Sequence, residues 1–214
     1  MDLLPLVMDL GILTVAVVLH EVGHGVVAYR CGDPTAAEQG RLTLNPIRHV
    51  DPVGTLLVPG FMLASAWAMG VHPLLFGWAK PVPIDPRRMR RPRRDMALVA
   101  IAGPLVNFAL AALGVWGLRV GIGMDGLAGA VVRVTAGLAI GTNVALGVLN
   151  LLPILPLDGG RVLTSLLPYR LARLYARMEP FGLVLVLILL SQTNVLSMLV
   201  RPVLRSFLAL ARVS

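Results

Sequence analysis

The stretch LLPLVMDLGILTVAVVLHEVGHGVVAY, residues 3–29, decides how the chain is read. It is long and apolar enough to cross a membrane as one helix. Two-thirds of the way along it stands His20-Glu21-Val22-Gly23-His24. On a helix the two histidines fall at i and i+4 on one face, so both imidazoles can reach one metal ion. Glu21, one residue past the first histidine, is placed to take a proton from an attacking water. Such groups are expensive to expose to lipid and should face protein or a wet cavity. HExxH is a short pattern that arises by chance, and many buried histidines are only hydrogen-bonded core residues. Here half of the chain's four histidines lie inside it, in a segment that ought to exclude them, which favours a metal site.

Composition agrees with a membrane setting. The chain is 57% hydrophobic and only 14% charged, against about 25% charged in soluble proteins. Its 214 residues allow one helical bundle, a single domain over 1–214. The core is expected over about 5–165, with a C-terminal membrane helix and amphipathic tail over about 170–214. The net charge of +8 comes almost wholly from arginine, concentrated in short segments between apolar runs. That is the inner-leaflet bias of membrane proteins rather than a nucleic-acid patch, so no nucleic-acid partner is expected. Cys31 stands alone and forms no intrachain disulfide. The N-terminus has no basic region of the signal-peptide kind and carries the proposed active site, so it is expected to be retained.

The first helix should end near Cys31-Gly32-Asp33-Pro34. Asp2 and Asp9 at its start and Arg30 at its end run it from outside to inside. Residues 35–51 are polar, and Gln39-Gly40-Arg41-Leu42-Thr43-Leu44-Asn45-Pro46 alternates polar with apolar. This fits a short strand or hairpin whose edge could take an extended peptide, and equally an ordinary loop. Residues 52–79 are apolar but broken at Pro59-Gly60, Gly70, Pro73 and Gly77. Arg30, Arg41 and Arg48 precede them, and Lys80 and the six arginines of 87–94 follow. Both ends are therefore placed inside, so the segment should re-enter the membrane and return. His72, next to Pro73, reads as structural or interfacial.

Asp95 is a plausible N-cap for a span over 96–120. Within that span Ala102-Gly103-Pro104 loosens the backbone, and Asn107 needs a polar partner. A second span over 127–152 closes on Asn150-Leu151-Leu152-Pro153-Ile154-Leu155-Pro156-Leu157-Asp158-Gly159-Gly160. Irregular backbone at membrane depth must line protein or a wet cavity, and an acid placed there is a functional candidate. Asp158-Gly-Gly also fits a plain helix N-cap. Arg161, Arg170, Arg173 and Arg177 mark another inner segment, and 181–200 reads as a further span. Beyond Pro202, Leu204, Phe207, Leu208 and Ala211 recur at helical spacing, as in an interfacial amphipathic helix.

A hydrolytic zinc site uses three protein ligands and leaves a fourth position open. His20 and His24 supply two. Among the other aspartates, Asp158 alone stands in a broken apolar span, whereas Asp33, Asp51, Asp85 and Asp95 flank loops. Asp158 is the best third ligand by elimination.

With these residues in place the chain resembles the site-2 protease family of intramembrane metalloproteases. The resemblance rests on HExxH in an apolar helix, Gly103-Pro104 with Asn107, and Asn150-x-x-Pro153 followed by Leu157-Asp158-Gly159. Gly77-Trp78-Ala79-Lys80-Pro81-Val82-Pro83 is similar to the compact branch of that family, which has no PDZ or CBS domain. It covers roughly residues 5–165, and two motifs so far apart are more specific than either alone. It implies one zinc per chain held by His20, His24 and Asp158, with Glu21 as general base. It also implies substrate binding at Asn150 and at a strand near Gly40 and Leu42.

The expected fold is an all-α polytopic membrane protein of about four to six membrane helices, with a short β-hairpin or re-entrant element near the site. The expected activity is zinc endopeptidase action on a transmembrane protein substrate in a lipid bilayer. The site should lie toward the cytoplasmic side of a prokaryotic membrane. A metal transporter could use the same His/His/Asp set, but it has no need of Glu21 and would usually show repeated halves, which the sequence lacks. A catalytically dead relative would not keep both ligands and base. Homo-oligomer formation stays open.

Overall fold

Among the described residues, three helices are long and apolar enough to cross a membrane: α1 (Leu3–Arg30), and two more reached after a polar connection. The computed structural model describes residues 3–69, 78–192 and 195–211. After α1 come the short α2 (Thr35–Glu38), a 3-10 turn (Pro46–His49) and a wide π turn (Pro52–Leu57) leading into α3 (Val58–Met69). The other two spanning helices follow, α4 (Pro92–Ile122) and α5 (Gly126–Asn150). The chain ends with α6 (Asp158–Leu166), α7 (Tyr169–Ala176), α8 (Glu179–Gln192) and α9 (Val195–Ala211).

The central element is α4, on which α1, α5, α6 and α9 all pack. Its two faces differ as a membrane helix requires. Leu98, Leu105, Leu113 and Trp116 are exposed, while Ala102, Gly103, Asn107, Ala111 and Gly114 are buried. Large apolar residues outside and small residues at the contacts invert the soluble pattern, because lipid solvates the former and backbones approach closely over the latter. Gly23 of α1 sits against Val106, and His24 against Val99, so α1 and α4 run antiparallel. Gly114 faces Ile140, and Gly147 faces Phe108, so α5 is antiparallel to α4 as well. The alternation carries the chain past Asn150 to Asp158 at the end where α1 holds its histidines.

Several expectations are corrected. Among the described residues there is no strand, and the alternating segment at 39–46 is not a hairpin. Ala36 and Ala37 favour a helical turn instead, and the N–H groups of Gly40 and Arg41 close it on Ala37 and Ala36. Gly40 takes the positive φ (62°) that such a closure needs. The segment's donors are thus spent on capping, and Asn45 then caps the 3-10 turn through Ile47 N–H. Asp95 does not begin the span expected over 96–120. That helix starts at Pro92, and the Asp95 carboxylate reaches back to Arg91 N–H at 2.7 Å.

Of the span expected over 181–200, the described parts are helical, in α8 up to Gln192 and in α9 from Val195, and residues 193–194 lie outside the described residues. The tail is also not an interfacial helix. Leu204, Phe207 and Leu208 pack on Ala111, Val115, Ile140 and Val144, with Ala211 inside that cluster. Phe207 stacks on Phe108 at 6.3 Å. The small residues of α4 leave a groove beside α5, and the apolar stripe of α9 fills it.

Residues 70–77, with Gly70, His72, Pro73 and Gly77, lie outside the described residues. The two ends of the 52–79 segment, however, are joined. Trp78 N–H donates to Gly54 C=O at 3.1 Å, Lys80 N–H to His49 C=O at 2.9 Å, and Thr55 Oγ1 to Trp78 C=O at 2.9 Å. Ends of a segment that crossed once would stand about 30 Å apart.

A second tie holds the polar side together. Asp33 is fully buried and accepts from Thr35 N–H, Thr35 Oγ1 and, at 2.7 Å, Asp85 N–H. Burial pushes its carboxyl up, but these donors outweigh it and hold the group below its ordinary value.

Candidate metal centre

The two imidazoles of α1 meet Asp158 at the first turn of α6. His20 Nε2 and His24 Nε2 are 3.0 Å apart, and both face Asp158 Oδ2, at 3.1 and 3.3 Å. All three side chains are buried. The i, i+4 spacing on α1 accounts for the first pair, and the return of α5 for the third member.

The chemistry of these atoms tests what belongs between them. His24 Nδ1 lies 2.7 Å from Val99 C=O, which only accepts, so that nitrogen carries the proton. His20 Nδ1 is 2.6 Å from Asn107 Oδ1, an acceptor likewise. In neutral imidazoles both Nε2 atoms then hold lone pairs, and both point at a carboxylate oxygen. Asp158 Oδ2 is buried without a hydrogen-bond partner. Three electron-rich atoms in mutual contact with no proton among them repel one another unless a cation lies between. Zinc–ligand bonds of about 2.0–2.1 Å in a tetrahedron set ligand atoms about 3.3 Å apart. The observed 3.0–3.3 Å fits, and no other group of three or more such residues gathers among the described residues.

Close packing makes this convergence specific. A Cβ at Gly103 would come within 2.5 Å of His24 Nε2 and 2.6 Å of His20 Nε2. The Nε2 edges of both imidazoles thus lie close against the α4 backbone where it has no side chain. Gly159 and Gly160 leave the same kind of room, against the backbone of Leu151 and Ile154. The Leu152–Leu157 turn therefore folds directly over the first turn of α6 and fixes Asp158.

Glu21 is half-buried beside the histidines, on a cavity of about 320 Å³ lined also by Val82, Asn150, Asp158 and Arg161. Its Oε2 accepts from Val82 N–H at 2.7 Å. Between Pro81 and Pro83, Val82 has the single N–H to give, a signal in the sequence that went unread. Arg41, also missed, is buried and donates to the carbonyls of Lys80 (2.8 Å) and Pro81 (3.4 Å). It clamps the extended segment that holds Glu21. Asn150 lines the cavity as expected, with one of its N–H bonds spent on Leu146 C=O at 3.0 Å. Gly40 and Leu42 do not line it. Gly40 is exposed, and Leu42 packs on Gly25 of α1. Arg161, one helical turn from Asp158, brings a cation to the wall that elimination among carboxylates could not find.

Fold and site together define a class: a helical membrane protein with a buried three-residue group able to hold a metal ion and a carboxylate beside it, the make-up of a metal-dependent hydrolase. The comparisons narrow that class. The model of peptidase family M50 matches residues 119–191. The chain is 39% identical over 185 residues to the "putative zinc metalloprotease" YwhC of Bacillus subtilis (strain 168), covering 83% of this chain and 77% of that protein. It is 36% identical over 175 residues to Rip2 of Mycobacterium tuberculosis (strain H37Rv), which bears the same description, and here it spans 82% of this chain but 63% of the longer relative. No solved structure gives a significant match. The chain belongs to peptidase family M50, the site-2 protease family, and is a membrane metalloprotease.

Proposed function

We propose that this chain is an intramembrane zinc endopeptidase that cuts another protein within or near a membrane-spanning segment. One zinc would be held by His20, His24 and Asp158. The observation that carries the reading is the meeting of three unprotonated donor atoms with Glu21 on one cavity inside a membrane bundle. Zinc, when bound, acts as a Lewis acid that polarises the scissile carbonyl and makes water acidic enough to be deprotonated near neutral pH.

The chain's own residues do the rest. Glu21 takes the proton of the attacking water on the carboxylate edge not tied to Val82 N–H. As the water oxygen bonds to the carbonyl carbon and the C–N bond breaks, the same carboxyl returns a proton to the leaving amine. Asn150, with one N–H and its oxygen still unspent, holds the substrate backbone in the cavity. A helical peptide bond is shielded by its own hydrogen bonds, so the substrate must unwind before it fits.

Trapping partners on Glu21→Gln in native membranes, then exposing the trapped proteins to wild type, tests this reading. Cleavage within their membrane segments, stopped by a chelator and restored by zinc, is expected. Zinc-loaded wild type that cuts none of them overturns it. Asn150→Ala should bind zinc as wild type does and cleave poorly. Loss of metal in a folded Asn150→Ala protein would instead move Asn150 into the support of the centre.

The paired ends of 52–79 support a site near the cytoplasmic face, with both ends on that side. In a Cys31→Ser background, Arg48→Cys and Arg91→Cys should both resist an impermeant thiol reagent until the cells are opened. Labelling at position 91 alone would mean a single crossing and would break the proposed topology.

A further inference from the structure

We propose that Asn143 of α5 is a positioning residue for the metal centre. It acts through Asn107 to fix which nitrogen of His20 is free to bind metal. The proposal rests on His20 being a ligand.

The argument starts at the one group in the chain of contacts whose polarity is beyond choice. Ala139 C=O, one turn back on α5, can only accept a hydrogen bond. Asn143 lies 2.9 Å from it and must present its N–H there, since the reverse would set two oxygens against each other. That turns Asn143 Oδ1 toward Asn107, at 3.0 Å from Asn107 Nδ2. Asn107 must then donate to Asn143, which turns its own Oδ1 toward His20 Nδ1, at 2.6 Å. His20 Nδ1 is thereby held protonated, and its lone pair is left on Nε2, facing His24 and Asp158. Each link fixes the next, and the sequence of links crosses three helices.

Burial makes the ordering strict. Asn107 is wholly buried and Asn143 is 3% exposed. Buried this deeply, an amide turned the wrong way would go unpaired, and an unpaired buried amide is costly. Without Asn143, Asn107 is free to flip and offer N–H to His20 Nδ1. That would favour the other tautomer, with a proton on Nε2 where the metal must bind. His24 needs no such device, because its Nδ1 partner is a backbone carbonyl that cannot turn.

The test uses the full-length protein in detergent and measures zinc affinity by chelator competition, with the visible spectrum of the cobalt-substituted protein as a second readout. Asn143→Ala should weaken zinc by about 10- to 100-fold and alter the cobalt bands. Asn143→Asp should restore both, since a protonated carboxyl donates to Ala139 and accepts from Asn107 as the amide does. The deciding background is Asn107→Asp, whose ionised carboxylate can only accept from His20 Nδ1 whichever way it turns. There Asn143→Ala should leave zinc affinity within about twofold, a coupling that general damage to packing would not produce. If Asn143→Ala does not fold, Asn143→Met, which fills the volume without hydrogen bonding, is read in its place. Equal losses with and without Asn107→Asp, or wild-type affinity in Asn143→Ala, overturn the proposal. His20→Ala is the control: if it kept its zinc, the ligand assignment rather than the relay would have failed.

Discussion

Glu21→Gln should bind about one zinc per chain as wild type does, while cleavage falls by roughly 10²-fold or more. The geometry separates the two properties. Glu21 lies on the cavity with the histidines, but its oxygen is tied to Val82 N–H and takes no part in the cluster of His20, His24 and Asp158. Glutamine keeps the size and can still accept from Val82 through its amide oxygen, but it cannot take a proton from water. Asp158→Ala and His20→Ala should do the opposite and lose most of the metal, because each removes one of three converging donor atoms. Zinc per chain by metal analysis and turnover on a trapped membrane substrate check both halves. An Asp158→Ala protein with full zinc and normal activity would sink the ligand assignment. A Glu21→Gln protein that cleaves normally would remove the general base.

Gly103→Ala should lower zinc affinity by at least about 100-fold, as much as the loss of a whole supporting residue, and abolish cleavage with it. The added methyl would stand within 2.5–2.6 Å of the Nε2 atoms of both histidines. It would strike the two nitrogens that bind metal, not the edge of a flexible side chain. The α4 backbone is pinned by α5 and α6 on its other sides and cannot retreat far, so the imidazoles must swing away. Gly117→Ala is the control on the same helix, since its nearest neighbour would be the Ala136 Cβ at an ordinary 3.6 Å. It should keep zinc and activity. Full zinc and normal cleavage in Gly103→Ala would mean that the imidazoles do not lie against α4 as described.

The sequence by itself determined the membrane class, the α4 and α5 spans within a few residues, and the gathering of His20, His24 and Asp158 on one cavity with Glu21. The physical reason is that these signals are local or nearly so. Helical spacing alone puts two histidines on one face, and polar groups inside apolar runs stand out against the cost of burying them in lipid. Tertiary structure decided what depends on which surfaces meet. The alternation at 39–46 suits a strand, yet no partner strand lies among the described residues, and Gly40 closes a helical turn instead. The apolar stripe of α9 suits lipid and protein equally, and only the groove between α4 and α5 settles where it lies. The support of the site was the least legible. Val82, Arg41 and Asn143 come from three separate elements, and what each does depends on a partner 61, 39 or 36 residues away. No periodicity links residues at such separations, because a hydrogen bond records only where the folded chain has put its two ends.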